Sequence, residues 1–266
     1  KAKVGGNTNA SDEIKELFDN NKVFDYPKPT SLLKNLIDRI VVDGDTVLDF
    51  FSGSGSTADA VMQLTAEGNC SNLNYIMIQI PEKIYEMING AEAPLQKKAA
   101  VAAFKMGYRT VDQIGIDRII RAAEKIRKAY PETAADLGFR HYILREPSAD
   151  TLDKIEKFDP DSFTVADNHF LQEFGLPAVL TTWLVWDGYG LTSSCKEVDL
   201  AGYTAFWKDK HLYLITSDFK QEAVLALVDK YMTDGDFGPE NVVLFGYSFT
   251  WTEREELREN LAYLSS

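Results

Sequence analysis

Between residues 10 and 40 the apolar positions recur every three or four residues, at Ile14 and Leu17 and then at Leu32, Leu33, Leu36, Ile37 and Ile40. That period predicts two short amphipathic helices, the first capped by Ser11 and the second by Thr30 or Ser31. Polar FDNN ends the first helix, and Pro27 and Pro29 force an extended backbone before the second. The pattern then changes. TVLDFF, opening after the turn DGD, and YIMIQI at 75–80 are apolar runs too continuous for a half-exposed sheet. Between them lies a helical stretch from about Ser56 to Leu64, followed by a loop containing Gly68. This order predicts a parallel βαβ unit.

Beyond Pro94 the helical period returns, with a break at Gly107. Thr110 and Gln113 match a capping box before IDRIIRAAEKIRKAY, whose basic residues gather at the end that the helix dipole favours. FRHYIL, from Phe139, reads as a third strand, and the polar PSADTLDKIEKFDPDS reads as a boundary. Residues 1–150 are therefore expected to form one α/β domain, 151–166 a linker, and 167–266 a smaller α+β domain. In the last, strands flank a turn at Lys208-Asp209-Lys210, a helix runs from Gln221 to Tyr231, VVLFGY is a strand, and Thr252 with Glu255 caps a final helix. The acidic residues of that helix alternate with Arg254 and Arg258, as on a solvated face. Internal repeats and low-complexity tracts are absent from the sequence.

Composition narrows the function classes. At 266 residues, 45% hydrophobic and 26% charged, the chain has the means to bury a sizeable core. No apolar run approaches the roughly 20 residues of a membrane helix, and the first residues lack the apolar stretch of a signal peptide, so a cytoplasmic protein with no membrane partner is expected. Cys70 and Cys195 stand far apart, without CxxC or a neighbouring His, and read as unpaired thiols. His141, His169 and His211 are too scattered for a metal site. A net charge of −13 argues against a stand-alone grip on nucleic acid, which needs Lys and Arg against phosphates. Asp187-Gly188-Tyr189-Gly190 reads as a turn between strands, and Trp183, Trp186, Trp207 and Trp251 as core or interface residues.

The stretch that bears chemistry is VLDFFSGSGSTADAV, from Val47 to Val61. A glycine-rich turn between a strand and a helix N-terminus leaves backbone N–H groups beside the positive end of the helix dipole, which suits a carboxylate or phosphate. The spacing Gly53-x-Gly55-x-x-Ala58 also satisfies the dinucleotide fingerprint, and a plain tight turn is the bland alternative. Asp49 ends an otherwise apolar strand, where a carboxylate is costly unless donors or a ligand meet it. Phe50 and Phe51 add an aromatic wall in place of the small residues that a pyrophosphate prefers.

DFFSGSGST resembles the S-adenosylmethionine-binding motif of amino-methyltransferases acting on DNA, written D-x-F-x-G-x-G. FDYPKP, at 24–29 and about 20 residues ahead, resembles the cofactor-binding segment that precedes this strand in the permuted, β-class enzymes. YIMIQIPE, MGYRTVDQIGIDRIIRAAEKI, GFRHYIL, WLVWDGYGL and VLFGYSFTWTEREELRENL are similar, in order, to segments of the modification subunits of Type III restriction-modification systems. The resemblance thus covers nearly the whole chain. It implies a Rossmann-like class I methyltransferase sheet, permuted and incomplete, and S-adenosylmethionine as cofactor. It further implies that Asp49, Phe50, Phe51, Ser52, Gly53, Ser54, Gly55, Ser56 and Thr57 line the methionine end, with Phe24, Pro27 and Lys28 flanking it. For the ribose hydroxyls it offers Gln79 or, three residues on, Glu82.

The family's catalytic tetrapeptide, Asp-Pro-Pro-Tyr, has no counterpart in this sequence. The nearest string is Phe158-Asp159-Pro160-Asp161, in a polar stretch with no strand before it. No catalytic residue is therefore assigned, and the chain alone is expected to be inactive. In the permuted order that tetrapeptide and the DNA-reading region precede FDYPKP, so the chain resembles the C-terminal portion of a longer polypeptide. The partners implied are double-stranded DNA, through that N-terminal part, a restriction subunit, and a second modification subunit in a homodimer. Two other readings stand beside this one: a nicotinamide-dependent oxidoreductase using Gly53, Gly55 and Ala58, and a non-catalytic module for subunit interaction.

Overall fold

The computed structural model describes residues 7–70, 72–159 and 167–262. Two compact units divide it, 1–139 and 140–266. Both mix helices with small sheets.

In the first unit α1 (Asn7–Leu17) and α2 (Thr30–Ile37) precede β1 (Thr46–Asp49), α3 (Ser56–Ala66) and β2 (Asn74–Met77). β1 and β2 pair in parallel, with Leu48 opposite Ile76 and Asp49 opposite Met77, as the βαβ reading expects. Val47, Tyr75 and Met77 pack against α3, whose Ala58, Val61, Met62 and Leu64 are buried. The opposite face differs from expectation, because Leu48, Ile76, Ile78 and Ile80 are exposed. Only one helical layer covers the pair among the described residues, so the continuous apolar run is buried on one face alone.

A hairpin of β3 (Tyr85–Ile88) and β4 (Ala91–Pro94) follows, turning at Asn89 and Gly90 with φ of 51° and 81°. Two positive φ angles are what a type I′ turn requires, and Asn-Gly supplies them at least strain. Then come α4 (Lys98–Lys105) and α5 (Val111–Ala129), the latter opened by the expected capping box of Thr110 and Gln113. Residues 139–144, read as a strand, form no regular element. Ser11 lies inside α1 and is not its cap, and α2 starts at Pro29 and Thr30. Ile40 lies beyond α2 and is exposed.

In the second unit α6 (Ala149–Lys157), α7 (His169–Phe174) and α8 (Leu176–Trp186) lead into β5 (Lys196–Leu200), β6 (Tyr203–Lys208), β7 (His211–Leu214), α9 (Gln221–Thr233), β8 (Asn241–Leu244) and α10 (Trp251–Ala262). The sheet order is β5-β6-β7-β8, antiparallel until β8 joins β7 in parallel after the α9 crossover. Side chains alternate between its faces. Val198, Leu200, Ala205, Leu212 and Leu214 pack with Val224 and Leu227 of α9 and Leu257 of α10. Phe206, Tyr213, Ile215 and Phe245 pack with Phe170 of α7 and Val179 and Leu184 of α8. The turn at Asp209-Lys210 is where the sequence puts it.

Three expectations change in this unit. The stretch read as a linker carries α6, whose amphipathic period is hidden by its charge; Pro160 and Asp161 lie outside the described residues. The Asp187–Gly190 turn follows a helix, α8, rather than a strand. The last capping box is Thr250 with Glu253, two residues earlier than expected: Thr250 N and Oγ1 both donate to Glu253 Oε2 at 2.7 Å. Of the tryptophans, Trp183 joins the cluster against β7 and β8, whereas Trp186 is 87% exposed.

Candidate functional site

The glycine-rich loop lies where β1 ends and α3 begins. Gly53 (φ 53°) and Gly55 (φ 76°) both adopt the left-handed region that favours glycine. Space is as restrictive as φ. A Cβ on Gly53 would meet the Phe24 ring at 3.2 Å, and one on Gly55 would meet Gly115 O at 3.0 Å. The structure therefore brings Phe24 of FDYPKP against the loop, joining two segments that the sequence analysis pairs. Pro27 is buried and Lys28 exposed.

Asp49 is half-buried and already has donors: Thr57 Oγ1 donates to its Oδ2 at 2.6 Å and the Phe51 N–H to its Oδ1 at 3.1 Å. These bonds offset the cost of a carboxylate at the end of an apolar strand. They fix both ends of the loop to one side chain, and each oxygen retains a second lone pair. Gln79 holds the middle. Its Oε1 accepts from Gly53 N at 2.7 Å, and its Nε2 donates to Ile80 O at 2.9 Å. Gln79 thus braces the loop. Glu82 is exposed, and its side chain has no hydrogen bond or ion pair among the described residues.

At the start of the loop the aromatic side chains are open to solvent, Phe50 61% and Phe51 78% exposed, and Tyr26 of the FDYPKP segment is 85% exposed. Below the loop the surface is polar and closed. Ser54, Ser56 and Thr57 are buried, and Arg118 of α5 is fully buried beneath them. Arg118 Nη1 donates to Ser56 Oγ at 2.6 Å and Ser54 Oγ at 3.1 Å. Its Nη2 donates to Thr30 Oγ1 at 2.9 Å and Asp59 Oδ2 at 3.2 Å. Thr30 in turn donates from N and Oγ1 to Glu13 of α1 at 3.0 and 2.8 Å. Arg121 ties α5 to α1 again, through Leu17 O at 2.9 Å and an ion pair with Asp19 at 3.2 Å. Sequence reasoning missed this network. Its only trace is an Arg on the apolar side of an amphipathic helix, at the same helical phase as Ile114 and Ala122.

A cleft of about 480 Å³ opens among α1, α2, α3 and α5, lined by Thr30, Lys34, Gln63, Glu67 and Tyr130 among others. None of residues 49–57 lines it, so it is not the space over the loop. Neither the cleft nor the loop holds a cluster of His, Cys, Asp and Glu fit for a metal among the described residues, and no helix among them is long and apolar enough to cross a membrane.

The arrangement can bind a small ligand with an aromatic or aliphatic body and a charged polar end. The N–H groups of the first turn of α3 suit an anion, Asp49 offers acceptors to a cation, and the exposed rings offer stacking surface.

Comparison with known proteins agrees with the sequence. Residues 3–90 match the family model described as DNA methylase, and residues 174–266 the one described as Type III R-M EcoP15I C-terminal domain. The StyLTI Mod subunit of Salmonella typhimurium, a Type III restriction-modification enzyme, is 36% identical over 98% of this chain and 42% of its own length. The EcoPI Mod subunit of Escherichia phage P1 is 34% identical over 95% of the chain and 36% of its own length; the EcoP15I Mod subunit of Escherichia coli, 35% over 95% and 36%. The chain spans about two fifths of the length of these relatives. By sequence, along nearly all of its own length, it is a homologue of the Mod subunits of Type III restriction-modification enzymes.

Proposed function

We propose that the first unit is the S-adenosylmethionine-binding part of a site-specific DNA adenine N6-methyltransferase, the modification subunit of a Type III restriction-modification system. The observation that carries this reading is the meeting of two cofactor-type segments: Phe24 of FDYPKP packs on Gly53 of the DFFSGSGST loop, which Asp49 and Gln79 hold open at the start of α3.

The residues fit the ligand's chemistry. Its amino-acid end carries an ammonium and a carboxylate side by side, and the loop offers Asp49 beside helix N-terminal amides. When bound, the cofactor supplies a methyl group activated on a sulfonium. Asp49 would hold the ammonium, and residues 52–57 the carboxylate. Phe24, Pro27, Lys28, Phe50 and Phe51 would flank the rest. Gln79, already engaged with Gly53 and Ile80, would reach the ribose with one lone pair and one amide hydrogen, which leaves Glu82 the freer of the two.

The one-layered β1–β2 pair is read as part of a Rossmann-like sheet, permuted and incomplete in this chain, whose bare edges and exposed face take further strands and helices. Target adenine and duplex DNA would be held by other parts of the full protein, in keeping with the acidic balance of this chain. Residues 1–150 are assigned to cofactor binding, and 167–266, beyond a junction at 151–166, to assembly with a second modification subunit and the restriction subunit. Trp186, an exposed aromatic residue, would serve such an interface. The setting is cytoplasmic.

Equilibrium dialysis of the chain against labelled S-adenosylmethionine and, separately, NADH tests the reading. Retention of the first and not the second is expected. Retention of NADH alone would replace it with the oxidoreductase reading.

A further inference from the structure

We propose that Arg118 is a positioning residue that locks the 52–57 loop and the 24–30 segment in one relative placement, so that both engage a single ligand. This rests on the S-adenosylmethionine reading above.

One guanidinium reaches both segments from below. Its Nη1 donates to the loop hydroxyls of Ser54 and Ser56 at 3.1 and 2.6 Å, and its Nη2 to Thr30, the residue that follows FDYPKP, at 2.9 Å. Asp59, one turn into α3, balances the charge at 3.2 Å, and Glu13 holds Thr30 from α1. The same helix carries Gly115, and a Cβ there would lie 2.9 Å from Gly53 O. The missing side chain at 115 lets the loop backbone settle on α5 within reach of Arg118.

The chemistry favours placement over simple stability. A buried ion pair is commonly replaced by apolar side chains without loss of stability. Here the charge stands fully buried with its Nε left without a partner. Its planar fork makes two divergent sets of bonds, which the point charge of a lysine cannot reproduce. What the guanidinium adds is the fixed distance between loop and segment, and a site spanning both needs that distance held closely.

Arg118→Lys keeps the charge and removes the fork. Ser54→Ala with Ser56→Ala cuts only the loop arm and leaves Arg118 paired with Asp59. Each chain would be titrated calorimetrically with S-adenosylmethionine well below its melting temperature, and amide hydrogen exchange recorded without ligand. For Arg118→Lys we expect a folded chain with affinity lower by about tenfold or more, the scale of one charge-assisted hydrogen bond, and faster exchange in 24–30 and 52–57 together. The double alanine variant should lose affinity as well, with faster exchange in 52–57 alone.

Wild-type affinity in either folded variant, with unchanged exchange in the loop, would overturn the proposal. Should Arg118→Lys fail to fold, the double alanine variant decides by the same two readings. Failure of the unaltered chain to bind S-adenosylmethionine would instead remove the cofactor reading, and the exchange arm would still show whether Arg118 couples the two segments.

Discussion

Asp49 shows how much one side chain decides. As the last residue of an apolar strand it would be costly if bare, yet Thr57 and the Phe51 N–H meet it at 2.6 and 3.1 Å. In the proposed cofactor site it also holds the ligand's ammonium. Asp49→Ala should weaken S-adenosylmethionine binding by about 1–3 kcal/mol, the loss of a hydrogen bond to a charged group; unchanged affinity by calorimetry would remove Asp49 from the site. Gly115→Ala tests the loop from beneath. A Cβ 2.9 Å from Gly53 O forces backbone apart, a strain of about 1–3 kcal/mol that exceeds the roughly 1 kcal/mol gained in helix propensity. Denaturant unfolding should find the variant less stable, and a more stable one would show that the contact is slack. The tight turn at Gly53 and Gly55 after Asp49 was legible from residue type and spacing. Arg118 was not read, because its one mark, the helical phase that it shares with Ile114 and Ala122, is faint in a helix rich in basic residues.

At the scale of elements, continuous apolar runs located β1 and β2, and helical patterns of apolar residues located α3, α5 and α9. Such patterns failed where polar residues outvote them. α6 reads as a linker because ADTLDKIEK is mostly charged, and its cap shows only as Ser148 Oγ accepting from Thr151 N. The β3–β4 hairpin was announced by Asn89-Gly90 and overlooked, since its strands are short and largely exposed. FRHYIL has strand-like composition, but at 139–144 no strand among the described residues pairs with it. The α10 cap slipped by two residues because Thr250 and Thr252 are each followed three positions on by Glu; the hydrogen bonds choose Thr250. Thr250→Ala should therefore cost about 1 kcal/mol, and Thr252→Ala a few tenths at most, within the range of a surface substitution. Thermal melts of the two variants distinguish them, and the reverse order would restore the sequence-based assignment.

For the whole molecule, pH offers a probe of cohesion. Burial and the Asp117 carboxylate push the Tyr108 hydroxyl up to about 12, and burial with Asp136 does the same for Tyr75. A folded pKa above the unfolded value near 10 means that stability is fully present below about pH 10 and is lost as pH rises toward 12. Chemical unfolding followed from pH 8 to 12 should show the first unit weakening over that window. A flat profile would mean that these hydroxyls ionise freely in the folded state. The change of texture leads the sequence analysis to expect a boundary in the polar stretch 151–166, whereas the two compact units meet at 139–140, inside a stretch of strand-like composition.

If the 24–29 segment and the 49–57 loop form one cofactor site, a single ligand must protect both. Amide hydrogen exchange of the chain with and without saturating S-adenosylmethionine reads this out. Added protection is expected in 24–29, in 49–57 and around Gln79, with the second unit unchanged. Protection confined to the cleft at Lys34 and Tyr130, or to residues 167–262, or no added protection at all, would refute the shared site.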